Sequence, residues 1–176
     1  MNFSNQIVNQ SLASGISKAN GGQSLHQGAE LSLGYQIGGG WSINTNATYI
    51  PVARFVGTNS LGKDGKRIPY TPELTSNFGV NYQKNGFNTL LSLNYVSKQY
   101  ADSANTITQN TIGTIGEVPA FATVNWSVNY DINKEWKVFG VVNNLFDKRY
   151  IASRSPDGIF PGAPLNFQAG MSYQFN

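Results

Sequence analysis

Long stretches of this chain alternate apolar and polar residues with a period of two, the pattern that sends successive side chains to opposite faces of a β-strand. From Leu25 the odd positions read Leu25, Gln27, Ala29, Leu31, Leu33, Tyr35, Ile37, and the even ones His26, Gly28, Glu30, Ser32, Gly34, Gln36. The same parity continues as Trp41, Ile43, Thr45, Ala47, Tyr49 against Ser42, Asn44, Asn46, Thr48. At the C-terminal end Leu165, Phe167, Ala169, Met171, Tyr173, Phe175 alternate with Asn166, Gln168, Gly170, Ser172, Gln174, Asn176. Segments 76–82, 87–95 and 120–132 follow the rule with small lapses. Two others are weaker: 3–9 is short, and 136–146 has apolar groups on both parities. The pattern predicts about eight strands and no helix.

The connections alternate in length. Ile37–Gly40, Gln83–Gly86 and Asp131–Glu135 read as tight hairpin turns, with Asn85-Gly86 the strongest signal, whereas 10–23, 56–69, 101–119 and 151–163 read as long loops. Short turns at one rim and long loops at the other describe an antiparallel up-and-down meander of the kind found in membrane barrels. The aromatic residues bracket the short turns in pairs on the apolar parity: Tyr35 with Trp41, Tyr82 with Phe87, Tyr130 with Trp136. They are expected to form a girdle at a lipid headgroup boundary. A second set, Tyr49, Tyr95, Phe121 and Phe167, lies about eight residues further along each strand, a climb of roughly 20 Å that approaches the ~25 Å apolar band of a membrane barrel.

Composition narrows the classes further. The 176 residues include 12 Lys+Arg and 9 Asp+Glu, only 12% charged, while hydrophobic residues make up an ordinary 40%. Asn, Gln, Ser and Thr supply about a third of the chain, and mean hydropathy is −0.29. Nearly all charges are expected in turns and long loops, Arg54 among them, and Glu30 sits on the polar parity. No window approaches the 18 or so apolar residues of a membrane helix. With no Cys and only His26, there is no basis for a disulfide, a thiolate zinc site or a two-histidine metal centre, so no cofactor is expected. A net charge of +3 is too diffuse for a nucleic-acid surface.

Three motifs invite chemistry and fail on spacing or type. Gly57-Thr-Asn-Ser-Leu-Gly-Lys63 begins like a phosphate loop, but Asp64 follows where Ser or Thr is needed and no helix pattern comes after it. His26 and Glu30 share a strand face yet stand ~13 Å apart, too far for direct proton transfer. Ser153-Arg-Ser-Pro-Asp157 has a hydroxyl without a histidine base, so nucleophilic catalysis is not expected and the chain does not read as an enzyme.

Val141-Val-Asn-Asn-Leu-Phe-Asp-Lys-Arg-Tyr150 resembles the NLFDKxY signature near the end of TonB-dependent outer-membrane receptors, and Pro161–Phe175 resembles the last barrel strand of that family. Gln27-Gly-Ala-Glu-Leu31 and Arg67-Ile-Pro-Tyr-Thr-Pro-Glu-Leu74 support the likeness, and Tyr100–Thr106 points to its ferric-dicitrate-like branch. Two positions depart from the family pattern: Leu165 stands where Arg is common, and Asn176 follows the aromatic Phe175.

The resemblance implies that residues 1–176 are the C-terminal portion, roughly the last third, of a 22-stranded barrel whose plug and first strands lie outside this sequence. It implies uptake of ferric chelates (siderophore or ferric citrate) across the outer membrane of a Gram-negative bacterium by the whole receptor. The portion alone is expected to be incompetent for transport, and TonB to act only through the plug. Implied partners are outer-membrane lipid, the ferric chelate, and the barrel-assembly machinery reading Gln168, Gly170, Tyr173 and Phe175. At the loop ends Arg154, Arg67 and Arg54 are candidates for bidentate contact with an anionic chelate, the alternative being contact with lipopolysaccharide phosphates or simple loop solvation. Arg149 is expected to be structural. Two other functions compete. A complete small eight-stranded outer-membrane barrel with a structural or adhesive role suits the length. A soluble ligand-binding barrel suits the hydropathy and leaves the aromatic belts unexplained.

Overall fold

The computed structural model describes residues 1–3, 7–12, 15–20, 22–57 and 64–175. Its strands, in chain order, are β1 (Asn2–Phe3), β2 (Ile7–Leu12), β3 (Gly15–Asn20), β4 (Gln23–Gly38), β5 (Trp41–Val56), β6 (Leu74–Lys84), β7 (Phe87–Val96), β8 (Gln99–Tyr100), β9 (Glu117–Val118), β10 (Phe121–Asp131), β11 (Trp136–Asn143), β12 (Ile151–Ser153), β13 (Phe160–Pro161) and β14 (Asn166–Tyr173). An eight-stranded sheet runs β1-β4-β5-β6-β7-β10-β11-β14, and β2-β3, β8-β9 and β12-β13 form separate two-stranded pairs. Every pairing is antiparallel, and no helix occurs among the described residues. The architecture is the expected all-β up-and-down meander, open at β14.

Tight turns sit where local chemistry demands them. At Asn85-Gly86 both residues have positive φ, 50° and 78°, the backbone of a two-residue turn whose twist matches the flanking strands. Asn tolerates the first position and Gly the second.

Register carries one row of side chains across seven of the eight strands on the apolar face: Tyr35, Ile43, Val80, Leu91, Trp126, Val142, Phe167. The adjacent row on the opposite face reads Gln36, Ser42, Asn81, Leu90, Ser127, Val141, Gln168. Strand β11 resolves its mixed parity in this way: Trp136, Val138 and Val142 join the apolar face, while Phe139 and Val141 turn to the polar one. Phe139 faces Gly170 there, and a Cβ on Gly170 would stand 2.6 Å from the ring. Three polar side chains on the apolar face are satisfied locally. Thr45 Oγ1 donates to the Asn77 carbonyl (3.0 Å), Thr89 Oγ1 to the Ser127 carbonyl (2.9 Å), and Trp126 Nε1 to Thr89 Oγ1 (2.8 Å). Such bonding removes the cost of presenting bare hydroxyls to an apolar medium.

That face has no partner among the described residues. Leu31, Leu33 and Phe167 are 52%, 58% and 81% exposed. The buried hydrophobic cluster is small: Ala53, Phe55 and Ile68, with Ile50 packed on it. Exposed apolar area on this scale marks a surface that meets another apolar phase.

A bulge places the cluster. Gln27 pairs with Val52 and Ala29 with Tyr49, so Ile50 and Pro51 stand against Gly28 alone. Proline lacks the N–H a ladder needs and is at home in such an irregularity. Beyond the bulge the parity of β5 flips. Val52, Arg54 and Val56 pair with Gln27, Leu25 and Gln23 on the apolar side, and Ala53 and Phe55 turn under the loops. Arg54, expected among loop charges, therefore lies within a strand on the outward side, because the bulge shifts it by one position.

Two further expectations are corrected. Residues 3–9 do not form one strand: Asn2 and Phe3 pair with Leu25 and Ser24, residues 4–6 lie outside the described residues, and Ile7–Leu12 pairs with Gly15–Asn20. That hairpin occupies much of the loop expected over 10–23. From Ile7 the backbone closes on Gly15–Asn20 instead of continuing along β4. Phe121, assigned to the second aromatic set, pairs with Val96 on the polar face, since its neighbour Ala122 opposes the outward Tyr95.

Candidate functional site

The polar face is a wall of amides and hydroxyls. Asn46, Asn77, Asn94 and Thr123 follow one another across β5, β6, β7 and β10. Asn77 Nδ2 donates to Asn94 Oδ1 at 2.6 Å, Asn143 Nδ2 to Asn166 Oδ1 at 3.0 Å, and the Asn144 amide to Asn125 Oδ1 at 2.9 Å. At the turn end Lys137 pairs with Asp131 at 3.1 Å. His26 and Glu30 share the parity of this face, opposite Ala53 and Thr48, with His26 Nε2 3.2 Å from Ser24 Oγ. The wall offers many neutral donors and acceptors with few charges, an arrangement suited to hydrated polar cargo.

Over its loop end, three long connections are tied together. Arg154, only 4% exposed, is the central tie. Its amide donates to Tyr70 Oη (3.1 Å), Nε to the Glu117 carbonyl (3.2 Å), and Nη1 to Gln109 Oε1 and the Gly113 carbonyl (3.2 Å each). Tyr70 belongs to the β5–β6 connection, and residues 109–117 to the β7–β10 connection. One guanidinium with its backbone thus joins three segments that period-two patterning cannot relate. A second tie runs from Asn105, which accepts the Arg67 amide (2.7 Å) and returns Nδ2 to the Arg67 carbonyl (2.8 Å). Asp102 Oδ1 caps the same turn through Ala104 N (2.8 Å) and Thr106 Oγ1 (3.1 Å). At the surface Lys98 pairs with Glu117 at 2.9 Å, and that hydrogen bond and charge raise the Lys98 amine above its ordinary pKa.

The Asn-Asn-Leu-Phe-Asp-Lys-Arg-Tyr segment is a structural knot. Asn144 is 3% exposed at φ 52°. Its Oδ1 accepts the Lys148 amide (2.9 Å), and Nδ2 donates to the carbonyls of Lys148 (3.0 Å) and Ala163 (2.9 Å). Asp147 Oδ1 accepts the Leu165 amide at 3.0 Å, fixing the turn to the base of β14. The Tyr150 ring stacks on Phe121 with centroids 4.0 Å apart, and Gly162 packs so close to that ring that no side chain could replace its hydrogen. These roles for Asn144, Tyr70 and Gln109 were not visible in the alternation; only the Asn-Asn pair before Leu-Phe-Asp hinted at a left-handed residue.

Among the arginines, Arg67 directs Nε to the Thr71 carbonyl (2.8 Å), Nη1 to Pro51 O (3.1 Å) and Nη2 to Ile50 O (2.6 Å), satisfying carbonyls at the bulge. Arg54 is exposed and pairs with Arg67 across a β-bridge. Arg149 is exposed in the turn before β12. Gln168 and Gly170 lie on the polar face of β14 and Tyr173 on the apolar one. Tyr173 packs on Trp136 at 4.8 Å and on Phe175 edge to face at 4.8 Å. Tyr35, Trp41, Tyr82, Phe87, Tyr130 and Trp136 all sit at the turn end of the sheet, with Trp41–Tyr82 and Tyr82–Phe87 centroids 4.8 Å and 6.2 Å apart. Residues 58–63 of the phosphate-loop-like stretch lie outside the described residues. Ser153 Oγ is occupied locally, donating to the Ser155 carbonyl (3.1 Å) and accepting its amide (3.0 Å).

Known proteins share this arrangement. The family model described as TonB dependent receptor-like, beta-barrel matches residues 1–145. The ferrioxamine receptor of Yersinia enterocolitica is 30% identical over 157 residues, covering 85% of this chain and 21% of that protein. The pesticin receptor of Yersinia pestis is 26% identical over 136 residues, or 75% of this chain and 19% of that protein. Among solved structures, the unliganded ferric citrate transporter FecA superposes with a TM-score of 0.78 at 26% identity, covering 97% of this chain and 27% of that one. The chain therefore spans about a fifth of the length of these curated relatives and about a quarter of the solved one.

Proposed function

Because this chain belongs to the TonB-dependent receptor-like β-barrel family and resides in the outer membrane of a Gram-negative bacterium, we propose that it forms the C-terminal part of a barrel through which a complete receptor takes up a ferric chelate. The carrying observation is the unbroken apolar row from Tyr35 to Phe167, exposed or half-exposed along seven strands and backed by a neutral amide wall. A side-chain layer that greasy on one face and that wet on the other suits a strand set between lipid and an aqueous lumen. The aromatic pairs at the short turns would mark one headgroup boundary. A plug and the earlier strands, supplied by the rest of the receptor, would close the barrel and couple it to TonB. Gln168, Gly170, Tyr173 and Phe175 would present the strand end that the assembly machinery reads.

Arg154 acts on the chelate at one remove in this proposal. Its donors hold loop carbonyls and Gln109, so it shapes the mouth by keeping three loops together. The test is uptake of radioactive iron by an iron-starved, receptor-deleted strain carrying the full-length gene, offered ferric citrate, ferrioxamine or a catecholate complex in turn. Restored, energy-dependent uptake of one complex is expected. Wild-type expression in the outer membrane without uptake or binding of any ferric complex overturns the proposal.

A further inference from the structure

Arg54 and Arg67 oppose each other on the outward side of the sheet, where the loop cluster engages Arg67 only through its backbone, at Asn105. Bonds from Phe55 N to Lys66 O (2.9 Å) and from Ile68 N to Ala53 O (2.8 Å) flank the pair. It is therefore a non-hydrogen-bonded antiparallel pair, the kind in which facing side chains approach most closely. Like charges on directly opposed residues repel, and an anion held by both would relieve that repulsion. Arg67 is already anchored by the carbonyls of Ile50, Pro51 and Thr71, which orients its planar fork and leaves N–H donors over. Arg54 is exposed, and no side-chain hydrogen bond holds it among the described residues.

Height along the strand indicates what the anion is. Trp41 to Tyr49 spans the apolar band, roughly 20 Å at a strand tilt of ~40°. Arg54 opposes Leu25, four positions of β4 beyond the Ala29–Tyr49 pair. That adds about 10 Å, so Arg54 lies some 20 Å from the middle of the band, within the polar layer of a bilayer ~40 to 45 Å thick overall. We propose that Arg54 and Arg67 form a fork for the phosphate group of an outer-leaflet lipid, Arg67 fixed by the bulge carbonyls and Arg54 free to close on the ligand. Guanidinium groups suit this task because they bind phosphate bidentately.

The proposal rests on the apolar face meeting lipid. Its test uses the full-length receptor in an uncharged detergent, titrated with bis-phosphorylated lipid A and followed by native mass spectrometry. Phosphatidylethanolamine and inorganic phosphate serve as comparators, and heat-modifiable gel mobility verifies folding. R54Q is expected to weaken lipid A binding about tenfold, the loss of one charge-assisted contact, and R54K to keep most of it. Equal binding by R54Q and parent overturns the site. So does competition by millimolar inorganic phosphate, which identifies a free-anion site instead of a lipid one. Failure of the membrane reading itself looks different, because spin labels at Leu31 and Leu91 would then report water; with those labels in hydrocarbon, an unresponsive R54Q condemns the fork alone.

Discussion

Replacing Asn144 with Ala tests whether the signature segment works as a structural knot. The side chain makes one accepted and two donated hydrogen bonds, to Lys148 N, Lys148 O and Ala163 O, at 2.9 to 3.0 Å in a site 3% exposed. At about 1 kcal/mol each they contribute roughly 3 kcal/mol. Alanine at φ 52° adds a strain of about 1 kcal/mol that Asn tolerates better. Local stability should therefore fall by about 4 kcal/mol. N144G relieves the strain but not the lost bonds, and N144D keeps the acceptor while aiming a buried anion at two carbonyls. The expected order is parent, Gly, Ala, Asp. Amide hydrogen exchange on the full-length receptor in micelles reads the effect at Lys148, whose N–H is bonded to Asn144 Oδ1. Every 1.4 kcal/mol is tenfold in the opening equilibrium, so exchange there should accelerate by about two to three decades in N144A. An acceleration below tenfold, or N144D exchanging like the parent, refutes the knot.

Spin labels at Leu31, Leu91 and Val128 should contact hydrocarbon, and those at Ser32, Ser92 and Ser127 water; collision with oxygen or a water-soluble relaxant reads the difference, and the opposite pattern removes the membrane reading. G170A should destabilise by about 1 to 2 kcal/mol in denaturant unfolding because the added carbon meets the Phe139 ring; F139A/G170A should regain most of the loss, and an unchanged deficit in the double variant contradicts the contact. A cycle of T89V, W126F and both should give a coupling near 1 kcal/mol from the Trp126–Thr89 hydrogen bond; additivity would show that the bond contributes nothing. R154K loses the forked reach to Gln109, Gly113 and Glu117, so limited proteolysis should cut the 97–120 loop faster. Unaltered cleavage would show that Arg154 is not the tie.

The seven long strands of the main sheet and its two chemically distinct faces were legible in the chain because a side-chain period of two is a local property. Leu165 to Phe175 announces its outward row without reference to any neighbour. Turn positions were equally local, since Asn85-Gly86 carries its own backbone preference. The sequence could not determine where the alternation slips. Whether Ile50 and Pro51 share one partner depends on the register against Gly28, a relation between two strands, and this slip moved Arg54 outward and Phe55 into the small core. Nor could it reveal which loops meet. The bonds of Arg154 to Tyr70, Gln109 and Gly113 cross up to 84 positions of sequence, and the Phe121–Tyr150 stack exists because β10 and the turn after β11 converge. Periodicity along one strand fixes which way a side chain points; only packing between strands fixes what it touches.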